Sequence, residues 1–205
     1  MTFYQTWDNG ACFVGAQGDG IYCVVNNVTF RNNYIHDLNA SFITFEGPSD
    51  SGALLTGSLR VVDNILVRTY GLRFDSGAED MRHFESIIVR GNQIWNDEAL
   101  VSGNYCCAEG DLYLMPWHYG EYVIEDNLFY CTVGGAYSNA LINTAALDES
   151  SSKVQYSGNT YVQRSGRDFA YINWSTGSIS IDDPNLVERA RDEVGEESGV
   201  FYVNP

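Results

Sequence analysis

The chain has 205 residues, 27 of them acidic against 11 basic, for a net charge of −16. Such an acidic surface excludes the basic footprint that nucleic acid requires and gives no attraction to an anionic membrane. No stretch approaches the roughly 20 apolar residues of a membrane span, and no basic segment followed by an apolar one opens the chain as a signal peptide would.

Predicted strand material begins at once: residues 3–14 read as a partial turn of a repeat. Nothing in the sequence caps that turn, so the N-terminal end is expected to be truncated, with further coils before it. Five copies of one frame follow, centred on Asn33, Asn64, Asn92, Asn127 and Asn159 and separated by 28 to 35 residues. That interval belongs to solenoids and arrays. Five residues before each Asn stands Val28, Leu59, Ile87, Tyr122 or Val154, and three before stands Phe30, Val61, Val89, Ile124 or Tyr156. Two after stands Ile35, Leu66, Ile94, Phe129 or Tyr161. The alternation before the Asn is that of a strand with one buried face. The Asn, with the Asn, Asp or Gly that precedes it, turns the chain sharply, since Asn tolerates the left-handed region better than other non-glycine residues. A second strand then resumes. Equivalent positions in successive turns stack into apolar ladders and an asparagine ladder. The expected fold is all-β, a right-handed parallel β-helix of about five to seven coils, with a monomer as its unit.

A third strand follows in each repeat, clearest at residues 42–47 and 71–76. Aligning the two places Ile43 beside Leu72 and Phe45 beside Phe74 facing inward, Thr44 beside Arg73 and Glu46 beside Asp75 facing outward. Strands in a sheet lie about 4.8 Å apart, so Glu46 and Asp75 with Arg73 form an acid/base pair or a cation site. The plain alternative is a solvated ladder in which Arg73 neutralises its neighbours. Long connections occupy residues 47–58, 76–85 and 103–120, and insertions in a solenoid collect on one face. The second brings His83 as a general acid or base and Arg82 as an oxygen grip, or simply a charged exposed loop. The third carries Asp111, Tyr113, Trp117 and His118; aromatic rings beside polar groups suit the faces and hydroxyls of sugars. Trp95 and His36 share the position three after the frame Asn, and Trp95 joins the substrate-binding candidates.

The five cysteines include the adjacent Cys106 and Cys107, match no zinc spacing and read as small core residues. The ladder ends near Trp174, giving coils over 1–181 and a cap over 182–205. Pro184 marks a helix start, residues 183–194 are predicted helical with Gly195 as their stop, and 199–203 form a last strand. A polar terminal segment of this kind stops end-to-end pairing of sheets.

The frames Val-Thr-Phe-Arg-Asn-Asn33-Tyr-Ile, Ile-Val-Arg-Gly-Asn92-Gln-Ile and Val-Ile-Glu-Asp-Asn127-Leu-Phe resemble right-handed parallel β-helix proteins of the pectate lyase-like superfamily. The ending, Ser-Gly-Asn159-Thr-Tyr-Val-Gln and later Gly-Val-Phe-Tyr-Val, looks like that of bacterial members from carbohydrate-degrading communities. The resemblance covers residues 20–203. It implies a secreted or cell-surface protein whose partner is a polysaccharide or oligosaccharide, handled by a lyase or a glycoside hydrolase. The Asp-Asp pair, His-Gly and Arg-Ile-Lys of polygalacturonase-like enzymes are absent from their expected setting. The lysine–arginine pair of alginate-lyase-like members is absent too, since the one lysine, Lys153, lies away from Arg73. Pectate-lyase-like members hold calcium with stacked carboxylates and use an arginine base; Glu46, Asp75 and Arg73 approximate that set, which makes Ca2+ the candidate cofactor. A non-catalytic glycan-binding rod and an adhesin-like structural solenoid stay open beside the enzyme.

Overall fold

The computed structural model describes residues 12–13, 24–36, 43–45, 54–69, 71–74, 86–96, 112–114, 120–132, 140–143, 152–173 and 177–204. These form three sheets of stacked, almost entirely parallel strands, a β-helix-like solenoid. The first sheet takes the strands before each frame Asn: Val24–Arg31, Leu54–Val62, Ser86–Arg90, Gly120–Glu125 and Ser152–Ser157. Its strands run in frame register, Phe30 against Val61, Val61 against Val89, Val89 against Ile124 and Ile124 against Tyr156. Val61, Val89 and Ile124 are fully buried in one column, as the alternation requires.

The second sheet takes the strands after the corner: Tyr34–His36, Ile65–Val67, Gln93–Asn96, Leu128–Cys131, Thr160–Arg164 and Val200–Asn204. Its inward column runs Ile35, Leu66, Ile94, Phe129, Tyr161, Phe201. The last three rings stack at centroid distances of 5.4 and 5.2 Å, and Phe169 meets Tyr161 and Phe201 edge-on. The third sheet takes Cys12–Phe13, Ile43–Phe45, Leu72–Phe74, Leu112–Leu114, Ala140–Asn143 and Asp168–Asn173, closed by the antiparallel Gly177–Ser180. Cys131 is buried, as expected of a core cysteine.

The corner between first and second sheets departs from expectation in one respect. The left-handed residue is not the frame Asn but the one before it: φ is 57° at Asn32, 54° at Asp63, 66° at Gly91, 55° at Asp126 and 66° at Gly158. This leaves the Asn amide free to point inward and bond along the stack. The Oδ1 of Asn64 accepts the backbone N–H and the Nδ2 of Asn33, at 3.0 and 2.9 Å. Asn92, Asn127 and Asn159 receive the same pair of bonds from Asn64, Asn92 and Asn127. From Asn64 on, each Nδ2 also reaches back to a carbonyl one coil earlier, from Asn64 to Phe30, Asn92 to Val61, Asn127 to Val89 and Asn159 to Ile124. Asn64, Asn92, Asn127 and Asn159 are buried, which is tolerable because their polar atoms are satisfied.

Glu196 carries the ladder past its last asparagine. It is 3 % exposed, and its carboxylate accepts Asn159 Nδ2 at 2.8 Å, the Tyr161 hydroxyl at 2.7 Å and the Ser198 N–H at 3.2 Å. It is delivered there by the predicted helix, which runs Leu186–Arg189 and Ala190–Val194, its second half wound more loosely, and stops at Gly195 with φ 86°. The start falls two residues after Pro184 because Asp183 first closes a turn, accepting the Asn185 N–H at 2.8 Å. Leu186 and Ala190 turn into the core. The strand foreseen over 199–203 is Val200–Asn204, parallel to Thr160–Arg164.

Candidate functional site

The third sheet holds the candidates that sequence reading put first. Its strands pair as Ile43–Leu72–Leu112, Thr44–Arg73–Tyr113 and Phe45–Phe74–Leu114, so the foreseen register of the first two strands is present. Leu72, Phe74, Leu112 and Leu114 are fully buried, and Arg73 and Tyr113 take the alternate positions between them. The same register continues from Tyr113 to Asn143 and from Asn143 to Tyr171. One column therefore reads Thr44, Arg73, Tyr113, Asn143, Tyr171, with neighbours about 4.8 Å apart along the backbone. Arg73 and Tyr113 are far apart in sequence and adjacent here, a pairing that the sequence reading did not make. The signal was present: Leu-Tyr-Leu at 112–114 has the apolar–polar–apolar form of Leu-Arg-Phe at 72–74. Glu46, Asp75, Arg82, His83, Asp111, Trp117 and His118 lie outside the described residues, so the proposed carboxylate pair and both charged loops do too.

Trp95 is on another wall. It belongs to the second sheet, in the column His36, Val67, Trp95, Tyr130, Val162, Tyr202. The parallel column is Tyr34, Ile65, Gln93, Leu128, Thr160, Val200. These twelve positions alternate with the buried column and contain no Asp, Glu, Lys or Arg. Tyr34 is 52 % exposed and Tyr202 56 %. Trp95 and Tyr130 lie with ring centroids 4.8 Å apart and planes tilted by 35°, and Trp95 Nε1 donates to Gln93 Oε1 at 3.3 Å. Tyr34 and His36 make a second ring contact at 5.3 Å. The first sheet is different in kind: its margin at the corner carries the ion pairs Arg31–Asp63, at 3.2 Å, and Arg90–Glu125. Sequence reading found Trp95 but missed Tyr130, although both stand three residues after a frame Asn.

Among the described residues, shifted protonation is found in the core and at the C-terminal helix. Burial pushes the phenols of Tyr122, Tyr156 and Tyr161 upward, with the nearby Glu196 carboxylate adding to the last two. Hydrogen bonds from Arg189, and then from the Asn185 N–H, lower Asp183. Among the described residues no group of three or more His, Cys, Asp or Glu side chains could hold a metal ion, and no helix is long and apolar enough to cross a membrane. Glu46 and Asp75, the carboxylates considered for calcium, are not among those residues. No family model matches this chain, and no curated protein or solved structure matches it either.

Proposed function

We propose that the chain is a right-handed parallel β-helix of the pectate lyase-like superfamily that acts on a polysaccharide, as a lyase or a glycoside hydrolase, from the face of its third sheet. Right-handedness is supported by a general preference: parallel strands joined by crossovers are right-handed in about 98 % of cases. The observation that supports the activity is the register column Thr44, Arg73, Tyr113, Asn143, Tyr171. The column sets these residues at successive register positions along the rod, and a linear sugar chain would run along it.

Arg73 is the residue for a uronate carboxylate, because a guanidinium offers planar, bidentate donors that match it. On a chain of net charge −16 an anionic sugar needs such a local cation or a bridging Ca2+. Asp75 follows Phe74 directly in sequence, as Glu46 follows Phe45. In the lyase reading one of these groups, or His83, takes the proton at sugar C5 while Arg73 steadies the carboxylate; the C4–C5 double bond forms as the C4–O4 bond breaks, and the leaving oxygen takes a proton from solvent. In the hydrolase reading Glu46 and Asp75 divide acid and base roles, which requires a separation of about 5 to 10 Å. A secreted or surface location belongs to the same proposal.

A panel of uronans and neutral glycans separates these readings. Lysis yields a new unsaturated sugar absorbing in the ultraviolet; hydrolysis yields reducing ends without it. Arg73→Ala and Asp75→Asn are each expected to lower turnover by about 10²- to 10³-fold, the usual loss on removing one charged participant. Turnover that survives both substitutions places the site elsewhere, around Asp111 and Trp117.

A further inference from the structure

We infer that the outer face of the second sheet is a separate binding surface for an extended, uncharged polysaccharide lying along the rod. It shares with the proposed function only the carbohydrate class of ligand. The face spans six strands, or roughly 24 Å at the usual strand spacing. Its two columns carry aromatic, aliphatic and neutral polar side chains and no formal charge, in a chain where 19 % of residues are charged. Charges resume only at the margin, with Arg68 and Arg164 at the strand ends.

Three features select the occupant. An anionic or cationic polymer would find no counter-charge on this face, whereas a neutral sugar needs none. A second copy of the chain would bring another net charge of −16 against the first, which opposes self-association through the face. The face also carries outward rings on four of its six strands, spread from end to end, as a binding surface for an extended polymer requires. Trp95 and Tyr130 are in contact yet only half-buried, so part of this ring pair is accessible to a pyranose. Gln93 and Thr160 stand in the neighbouring column within reach of hydroxyls. Exposed rings continue to both ends in Tyr34 and Tyr202.

The test is retention of the intact chain on insoluble cellulose and its retardation in native gels containing neutral β-glucan, xylan or mannan, with polygalacturonate as the acidic comparator. Wild type is expected to be held by at least one neutral polymer, with little change on adding salt, because no charge pair is involved. The pair Trp95→Ala with Tyr130→Ala is expected to weaken that retention about tenfold, while Trp95→Phe with Tyr130→Phe keeps most of it. If the alanine pair fails to fold, Tyr34→Ala with Tyr202→Ala, at exposed positions on the same face, is expected to weaken retention in the same direction. The inference is overturned if wild type is held by no neutral polymer, or if retention is unchanged in folded variants. It is equally overturned if the alanine substitutions abolish a concentration-dependent dimer instead, which would make a second copy the occupant. The catalytic test reads turnover of soluble oligosaccharides and this one reads retention of polymer, so either can fail alone.

Discussion

At the residue scale the corner column shows how finely neighbouring coils constrain each other. It reads Asn32, Asp63, Gly91, Asp126, Gly158, and each glycine follows an aspartate by one coil. A Cβ added to Gly91 would sit 2.6 Å from Asp63 Oδ1, and one added to Gly158 would sit 2.6 Å from Asp126 Oδ1. Both glycines also hold φ at 66°, where a side chain is strained. Gly91→Ala is therefore expected to destabilise by about 1–3 kcal/mol, from left-handed strain and the close oxygen together. Adding Asp63→Ala removes the oxygen but not the strain, so the double variant should recover part of the loss. A double-mutant cycle in urea measures this; strict additivity would show that the aspartate plays no part. The frame made the asparagines visible but not which residue of each pair turns left-handed. Either could adopt that conformation, and only the demand that a buried amide find partners on both neighbouring coils decides between them.

At the scale of elements, strands were legible and their closure was not. Apolar residues at fixed offsets specify inward columns because side chains alternate with period two, so the register from Phe30 to Tyr156 and from Ile35 to Tyr161 was readable. Leu186 to Val194 was readable as a helix from Pro184 and Gly195. Glu196 was not, because Gly-Glu-Glu-Ser looks like any solvated acidic segment and Glu196 lies outside the frame. Glu196→Ala is expected to cost about 2–5 kcal/mol, since it strips acceptors from Asn159 and Tyr161 inside the core. Glu196→Gln should cost less by keeping one acceptor oxygen. Equal denaturant midpoints for wild type and the alanine variant would show that the carboxylate is incidental. The candidate site divides in the same way. The Thr44–Arg73 pairing was legible from matched strands, while the separation of Trp95 onto another wall depends on which side of the corner a strand resumes.

At the scale of the molecule, the core contains three phenols whose ionisation folding opposes. Tyr122, Tyr156 and Tyr161 all have raised pKa values caused mainly by burial. A group whose value is raised on folding contributes full stability below its unfolded value and loses that contribution as pH rises above it. Unfolded tyrosine titrates near pH 10, so stability is expected to fall steeply above about pH 10. Unfolding and the phenolate absorbance of these rings should then appear together. Tyr156→Phe should blunt the alkaline loss, and it should be tolerated at neutral pH because the Tyr156 hydroxyl has no hydrogen-bond partner among the described residues. An absorbance step from all fourteen tyrosines well before any loss of circular dichroism would contradict this.

The chain of amides has a grammar. Each asparagine passes donors forward, and from Asn64 on each offers an oxygen to the one behind, so each rung calls for another acceptor after it. Glu196 answers with a group that only accepts when ionised, and the sentence closes. Length is then set by where that full stop falls and not by anything in the rungs. A duplicate of one whole repeat, inserted as a complete coil ahead of the last frame, keeps the asparagine pairing on both sides, so the rod should lengthen by a strand in each sheet and still terminate cleanly. Asparagine in place of Glu196 would leave the clause unfinished, with two donors held out to whatever comes next.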